Sequence, residues 1–386
     1  MPAKKDKTNQ AVIRLNDLSK LFDSLIQNDY EILGPTVSDQ AIIYDKVSSP
    51  YDLPKGIIDR QDNGQYRLVK DESQALFGFV VGPHSWKKYL YPSIQEIWRA
   101  KKTKTGFGII ENSDKPIKRA FLGVRPCELA AIAIYDKIFM EGPYADPMYK
   151  QRRENSLIIA VNCTRAGGTC FCVSMNTGPE AISGFDLVLT EIIEKDEHYF
   201  IFETGSETGT QILSKIPHKE AQENNLKAKD KAIERAKSQI GRTLDTNGLD
   251  ELLKRNFDNP HWQTVAGRCL TCGNCTMVCP TCFCTTIEDS TDLTGSLAIR
   301  SRKWDSCFTM DFSYIAGGSI RATAMSRYRQ WMSHKLANWQ DQFGTSGCVG
   351  CGRCITWCPA GIDITEEVRI IRESENIENT SIKARM

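Results

Sequence analysis

Eight cysteines in the C-terminal half of the sequence form two runs with the same spacing. Each run reads C-x2-C-x2-C-x3-C and is followed by proline, Pro280 in the first run and Pro359 in the second. The ligands are Cys269, Cys272, Cys275 and Cys279, then Cys348, Cys351, Cys354 and Cys358. This spacing is typical of bacterial ferredoxins that bind [4Fe–4S] clusters. Structural zinc sites usually separate two C-x2-C pairs by a longer insert, so the repeated run favours iron–sulfur clusters over zinc.

The two runs are expected to exchange their fourth cysteines. In two-cluster ferredoxins the last cysteine of each run binds the cluster of the other run. We therefore predict one [4Fe–4S] cluster held by Cys269, Cys272, Cys275 and Cys358. The second would be held by Cys348, Cys351, Cys354 and Cys279.

Four further cysteines, Cys127, Cys163, Cys170 and Cys172, indicate a third [4Fe–4S] cluster. The segments RAFLGV, RPCELAAIAIYDKIFM and SLIIAVNC read as a β-α-β unit, with Cys127 and Cys163 just beyond its two strands. Adjacent parallel strands end at the same edge of a sheet, so these two cysteines should converge. The short glycine-bearing segment before Cys170 can wrap closely around a cluster. The alternative is four buried thiols without a metal.

Cys282, Cys284 and Cys307 remain after these assignments. Cys282 and Cys284 belong to a second Thr-Cys-Phe-Cys segment, which repeats the one containing Cys170 and Cys172. The three thiols could line a cluster behind its ligands, exchange roles with the first Thr-Cys-Phe-Cys segment, or bind another centre with a non-cysteine ligand. We favour the first alternative, because the sequence supplies no obvious fourth ligand.

The elements that must position these cysteines predict an α+β protein of two parts. An α/β domain with the N-terminal cluster is expected over residues 11–213, and a helical dicluster ferredoxin domain over 246–371. Residues 214–245 read as a polar helix and linker, 1–10 as a flexible tail and 372–386 as a polar tail. Short strands are predicted at 41–45, 65–69 and 75–81, two more within 185–203, and helices at 246–258 and 320–340. No long strand is expected between the cysteine runs.

Composition and missing motifs limit the functions that are open to the chain. The 386 residues carry a formal net charge of +1, which gives no reason to expect nucleic acid as a partner. No apolar run is long enough to span a membrane and no signal peptide is recognisable, so we expect a cytoplasmic protein that does not cross the membrane. Neither a dinucleotide-binding glycine motif nor a P-loop occurs. Clusters without a hydride-handling cofactor indicate an electron relay between other chains.

One basic segment near the second run has two possible roles. Arg321, Arg327, Arg329, His334 and Lys335 lie on a predicted helix between the two cysteine runs. They could stabilise reduced clusters or dock an acidic partner. They could equally form an ordinary solvated helix face.

Several ordered motifs resemble the iron–sulfur beta subunit of cytoplasmic, NAD(P)-linked [NiFe] hydrogenases, or sulfhydrogenases. They include GVRPCELAAI, VNCTRAGGTCFCVSMNTGP, CPTCFC, WDSCF and CVGCGRCITWCPAGIDI, and the likeness extends from about residue 34 to 366. The resemblance implies an electron-transfer subunit without substrate chemistry of its own. Its partners would be a flavin- and NAD(P)-binding subunit and the hydrogenase small subunit, and through it the large subunit.

The same motifs are similar to the A subunit of anaerobic sulfite reductase, in which electrons would pass to a sirohaem subunit. A stand-alone iron–sulfur redox protein is the second alternative. We favour the hydrogenase setting, because the motifs are nearer to that branch.

Overall fold

The computed structural model describes residues 10–110, 116–194 and 197–383, with side chains up to residue 377. The strands are β1 (Gln10–Arg14), β2 (Glu31–Ser38), β3 (Ala41–Lys46), β4 (Ile57–Asp62), β5 (Gln65–Lys70), β6 (Ile94–Thr103), β7 (Gly106–Ile110), β8 (Arg119–Val124), β9 (Ser156–Val161), β10 (Leu187–Glu194), β11 (Glu197–Thr204), β12 (Lys219–Glu220), β13 (Thr285–Thr291), β14 (Leu297–Trp304), β15 (Tyr314–Ile315) and β16 (Gly318–Ser319). The α-helices are α1 (Ser19–Gln27), α2 (Lys87–Leu90), α3 (Pro126–Phe139), α4 (Pro147–Glu154), α5 (Glu207–Leu213), α6 (Glu223–Ser238), α7 (Leu249–Arg255), α8 (His261–Arg268), α9 (Asn274–Met277), α10 (Ala324–Ser333), α11 (Trp339–Phe343), α12 (Arg353–Thr356) and α13 (Ile364–Lys383). Both element types are well represented, so the fold is mixed α/β.

An eight-stranded sheet organises the N-terminal half. Its strand order is β12-β1-β11-β10-β9-β8-β2-β3. The central pairs β2–β8, β8–β9 and β9–β10 are parallel, whereas the outer pairs are antiparallel. Two apolar clusters of buried side chains pack against this sheet, and the second of them also contains Cys127, Cys170, Cys172 and Cys351. The core of the sheet is therefore continuous with the region that holds the cysteines.

The predicted β-α-β unit is confirmed. β8 and β9 are adjacent and parallel, with Phe121 opposite Ile158, and α3 and α4 connect them. Pro126 stands at the first position of α3, where its missing N–H costs no helical hydrogen bond. Cys127 follows it in the first turn, and Cys163 lies two residues beyond the end of β9. The unit thus brings both cysteines to the same edge of the sheet.

The strand predicted at 75–81 is wrong, because this apolar segment is a buried loop. Its backbone groups bond to buried charged side chains instead of a neighbouring strand. The Glu191 carboxylate accepts hydrogen bonds from the amides of Leu76 and Phe77, at 2.7 and 2.8 Å. The Arg125 guanidinium donates to the carbonyls of Phe77 and Phe79. Side-chain partners therefore satisfy the backbone that a sheet would otherwise have satisfied.

The expectation that no long strand lies between the cysteine runs is also wrong. β13 and β14 form an antiparallel hairpin, and β14 pairs in turn with β6 from the N-terminal half. The resulting four-stranded sheet has the order β13-β14-β6-β7. The C-terminal half is therefore not purely helical, although helices α7 and α10 do form in the segments predicted at 246–258 and 320–340. The hairpin is stabilised by pairing across about two hundred residues of sequence, which local periodicity cannot show.

The segment predicted as a polar helix and linker does contain a helix, whereas the predicted C-terminal tail is helical up to Lys383. Residues 214–245 include α6, which packs on β10 and β11 and buries Lys229 and Ile233. Residue 372 lies inside α13, which continues to Lys383. Of the predicted N-terminal tail, residues 1–9 lie outside the described residues and Gln10 begins β1.

Candidate iron–sulfur centres

The two cysteine runs form closely similar loops. In the first, the amide of Thr271 points at the Cys269 sulfur at 3.4 Å; in the second, the amide of Gly350 points at the Cys348 sulfur at the same distance. Each loop leads through a glycine in the left-handed conformation, Gly273 or Gly352, into the short helix α9 or α12. Backbone N–H groups directed at sulfur are a regular feature of iron–sulfur sites, where they stabilise the electron-rich thiolates.

The first predicted ligand set is brought together in one apolar cavity. Cys269, Cys272, Cys275 and Cys358 all line it, together with Phe308, Tyr328, Trp331, Ile362 and Ile364. Burial raises the pKa of the Cys275 thiol, and the nearby sulfurs of Cys269, Cys358 and Cys272 raise it further. The iron of a bound cluster would supply positive charge that stabilises these four sulfurs as thiolates, so the donor set fits a [4Fe–4S] centre.

The second predicted set is likewise assembled around Cys354. Burial raises the pKa of its thiol, and the sulfurs of Cys348, Cys351 and Cys279 raise it further. Cys279 therefore lies with the second run, and Cys358 with the first, as the ferredoxin crossing requires. Cys354 also lines the cavity of the first set, so the two sets are neighbours.

The four N-terminal cysteines are all buried and close to one another. Burial raises the pKa of the Cys172 thiol to about 12, with further contributions from Cys163 and Cys351. The Cys170 thiol has its pKa raised by burial and by Cys172 and Cys163, and that of Cys127 by burial and by Cys351 and Cys172. The four sulfurs thus form a third group, which adjoins the second set through Cys351.

The described residues contain no group of three Cys, His, Asp or Glu side chains arranged to hold a single metal ion. A four-iron cluster makes a different demand on its ligands. Each cysteine binds a separate iron atom at a corner of the cluster. The four cysteine sulfurs around a cluster therefore lie farther apart than the ligands of a single metal ion.

The first Thr-Cys-Phe-Cys segment docks directly on the second cysteine run. The amide of Phe171 donates to the carbonyl of Gly350 at 2.9 Å, and the Cys170 thiol contacts the carbonyl of Cys351 at 4.0 Å. A side chain on Gly350, whose φ is +64°, would place its Cβ 2.7 Å from the backbone of Cys172. Glycine is therefore required for the third group and the second set to approach so closely.

A buried ion pair joins the two halves of the chain at this junction, where the first Thr-Cys-Phe-Cys segment contacts the second cysteine run. Arg353, the first residue of α12, donates to the Glu128 carboxylate of α3 at 2.7 Å, and both side chains are essentially inaccessible to solvent. The same guanidinium donates to the carbonyls of Gly82 and His84. The hydroxyl of Tyr44 donates to the other carboxylate oxygen at 2.6 Å. The pair was not anticipated, because no local pattern links residues 225 positions apart.

Cys282 lies next to the predicted ligand Cys279, and Cys284 lies next to Cys307. A hydrogen bond from the Cys282 thiol, together with the cationic side chain of Lys335, lowers the pKa of Cys279. A hydrogen bond from Cys307 lowers the pKa of Cys284 to about 7. The contact with Cys279 concerns one of the three thiols, so their interpretation as lining a cluster stays a prediction.

Two buried lysines, Lys87 and Lys335, lie near these thiols. The sequence identifies Lys335 only as part of a basic segment and does not identify Lys87. Lys87 donates to the carbonyls of Met277 and Cys282. Lys335 donates to the sulfur of Cys279 at 3.4 Å. The signal that could have identified Lys335 is its place in the basic helical segment, but the sequence could not separate it from Arg329 and His334, which are only partly buried.

Comparisons with known proteins agree with this arrangement. Residues 268–362 match the model of the 4Fe-4S dicluster domain, so the chain carries two [4Fe–4S] clusters in its C-terminal part. No solved structure matches the chain. Among the described residues, no helix has the length and apolar character needed to cross a membrane.

A curated relative extends the similarity beyond the dicluster domain. The chain is 33% identical over 259 residues to sulfhydrogenase 2 subunit beta of Pyrococcus furiosus, an alignment that covers 66% of this chain and 75% of the relative. The resemblance deduced from the ordered motifs is thereby confirmed. The chain is an iron–sulfur electron-transfer protein and belongs to the family of the sulfhydrogenase beta subunit.

Proposed function

We propose that this chain relays electrons through three [4Fe–4S] clusters between a flavin- and NAD(P)-binding subunit and the small subunit of a [NiFe] hydrogenase. A [4Fe–4S] cluster supplies one-electron transfer over a range of potentials that its protein surroundings set. The chain contributes the ligands, the spacing between them and the charges around them. It takes no part in substrate chemistry in this proposal.

The observation that carries the proposal is the contiguity of the three cysteine groups. Cys275 of the first set lies near Cys279 of the second, and Cys351 of the second lies near Cys127 and Cys172 of the third. A chain that held its clusters for structural reasons or as separate sensors would have no need to place them in one row. A row of adjacent centres provides a path across the protein.

The ligand assignment follows from this grouping. We assign Cys269, Cys272, Cys275 and Cys358 to the first cluster, and Cys348, Cys351, Cys354 and Cys279 to the second. Cys127, Cys163, Cys170 and Cys172 are assigned to the third. Arg125, whose guanidinium lies 3.9 Å from the Cys163 sulfur, would balance part of the negative charge of that cluster.

The cytoplasmic location is proposed on the state of the cysteines. No disulfide joins any of the fifteen cysteines. Cysteine-rich chains in oxidising compartments normally use their cysteines as disulfides. Free thiols in this number suit a reducing compartment, where they are available to clusters.

Anaerobic copurification tests the proposed setting. The chain would be tagged in its own host, purified without oxygen, and analysed for its companion subunits, nickel, flavin and sirohaem, with the untagged strain as control. Nickel and flavin in the same complex are expected. Sirohaem would instead place the chain in a sulfite reductase, and the absence of all three would leave a stand-alone redox protein.

A further inference from the structure

Lys335 is a charged side chain enclosed within the C-terminal half. Only 4% of it is exposed, and it lies in a π-helical segment, His334–Asn338, between α10 and α11. Its carbonyl accepts a hydrogen bond from the amide of Gly347 at 2.8 Å, and its Nζ donates to the carbonyl of the same glycine at 3.0 Å. Gly347 directly precedes Cys348, so the lysine is fixed to the start of the second cysteine run.

The three N–H donors of the ammonium group each have an acceptor. They are the carbonyl of Gly347, the hydroxyl of Thr281 at 3.1 Å and the sulfur of Cys279 at 3.4 Å. Among the described residues, no carboxylate pairs with Lys335. A buried ammonium is costly unless an anion balances it. Here the sulfur of Cys279, a ligand of the second cluster, is the anionic group in contact with it.

We propose that Lys335 sets the reduction potential of the cluster held by Cys279 and the second run, and raises it above that of the cluster held by the first run. The inference rests on the ligand assignment in the proposed function. Reduction adds one negative charge to a cluster, and a positive charge buried at contact distance stabilises that reduced form. Hydrogen bonds to ligand sulfur act in the same direction.

Lys335 donates to a ligand sulfur of the second set, where Arg353 near Cys351 and Lys87 near Cys279 add further positive charge. Both runs receive one backbone N–H···S contact at 3.4 Å, at Cys269 and at Cys348. Cys358, the counterpart of Cys279, receives no side-chain hydrogen bond from the described residues. Arg327 lies near Cys269, but its guanidinium contacts the sulfur of Met310 and not a ligand sulfur.

The position of the second cluster gives this difference a consequence for electron flow. Its ligands adjoin both the first set, through Cys354, and the third group, through Cys351. Because Lys335 raises the potential of this cluster above that of the first, an electron shared between these two clusters would rest on the second. The outer two clusters would then exchange electrons with the partners.

A redox titration of the full chain tests the inference. Lys335→Met keeps the length of the side chain and removes its charge and donors, whereas Lys335→Arg keeps the charge. Each variant would be purified anaerobically and its clusters titrated by electron paramagnetic resonance. In Lys335→Met we expect the midpoint potential of the second cluster to fall. At the potential that half-reduces this cluster in the wild type, its ratio of reduced to oxidised form should be at least about tenfold lower. For a one-electron couple this equals about 59 mV. For the other clusters the same ratio should change less than threefold. The midpoint potentials of Lys335→Arg should stay near those of the wild type.

Lys335→Gln is a second variant, which fills the site with a neutral polar group if Met perturbs folding. Unchanged midpoints in both neutral variants, or equal shifts of all clusters, would overturn the inference. Loss of cluster iron from both neutral variants would also overturn it, since Lys335 would then hold the cluster in place and not set its potential. The proposed function fails separately, if the wild-type chain shows no reducible clusters or no hydrogenase partners.

Discussion

Removing the buried ion pair at the junction should destabilise the whole chain strongly. Arg353→Met would leave the Glu128 carboxylate buried with only the hydroxyl of Tyr44 as a hydrogen-bond donor from the contacts described above, at 2.6 Å. Breaking one partner of a buried pair typically costs about 3–5 kcal/mol. The carbonyls of Gly82 and His84 would also lose their donor, and each unsatisfied buried group costs about 1–3 kcal/mol. We therefore expect a loss of free energy of unfolding near the upper end of the range for the ion pair.

Urea denaturation under anaerobic conditions measures this loss, with tryptophan fluorescence as the signal and iron content checked in each sample. With a slope of about 3 kcal/mol per molar urea, a loss near the upper end, about 5 kcal/mol, moves the midpoint down by about 1.7 M. The double variant Glu128→Gln/Arg353→Met should recover part of the shift, because a neutral amide costs less to bury than an unpaired carboxylate. Arg369→Met is the matched control, since Arg369 pairs with Glu373 on the exposed surface. Its midpoint should stay within experimental error. A shift below about 0.3 M for Arg353→Met would refute the reasoning.

Two further predictions concern the close approach at Gly352 and the thiol of Cys284. Gly352→Ala should destabilise the chain and the proposed third cluster, because the new Cβ would overlap the carbonyl oxygen of Thr169 and the residue has a φ of +76°. Gly267→Ala, in the open on helix α8, should instead stabilise it by about 0.5–1 kcal/mol; equal effects of the two changes on the urea midpoint would contradict the close approach. In the native protein, alkylation of Cys284 by iodoacetamide should rise with pH to half its maximum near pH 7, because the hydrogen bond from Cys307 lowers the pKa of Cys284 to about 7 and the thiolate is the reactive form. A half-maximum near pH 8.5, read from peptide mass spectra, would show an ordinary thiol.

The sequence could predict the chemistry because that chemistry depends on local spacing. The four-cysteine runs are short loops, and the β-α-β unit is a local motif whose geometry brings Cys127 and Cys163 to one edge. Repeated spacing and strand–helix alternation are both visible without knowledge of distant contacts. For this reason the amino-acid sequence alone predicts the two C-terminal sets and the N-terminal group.

Features that depend on distant partners could not be predicted. The segment 75–81 is apolar enough for a strand, yet buried Glu191 and Arg125 bind its backbone and hold it as a loop. The hairpin β13–β14 forms because β6 pairs with it from the other half of the chain. The burial of Lys335 depends on the fold around its helical segment, which the basic residues of the sequence there do not reveal. In each case tertiary contacts decide between local alternatives of similar stability.

The count of cluster iron tests the central claim most directly. The claim is that this chain holds a row of three four-iron clusters. Anaerobically purified wild-type chain should contain roughly 12 iron atoms and an equal amount of acid-labile sulfide. Cys163→Ser should lower the count to roughly 8, with the two ferredoxin-type centres still reducible, whereas Cys307→Ser, which changes a thiol outside the assigned ligands, should keep roughly 12. A wild-type count of roughly 8 that Cys163→Ser leaves unchanged would contradict the account.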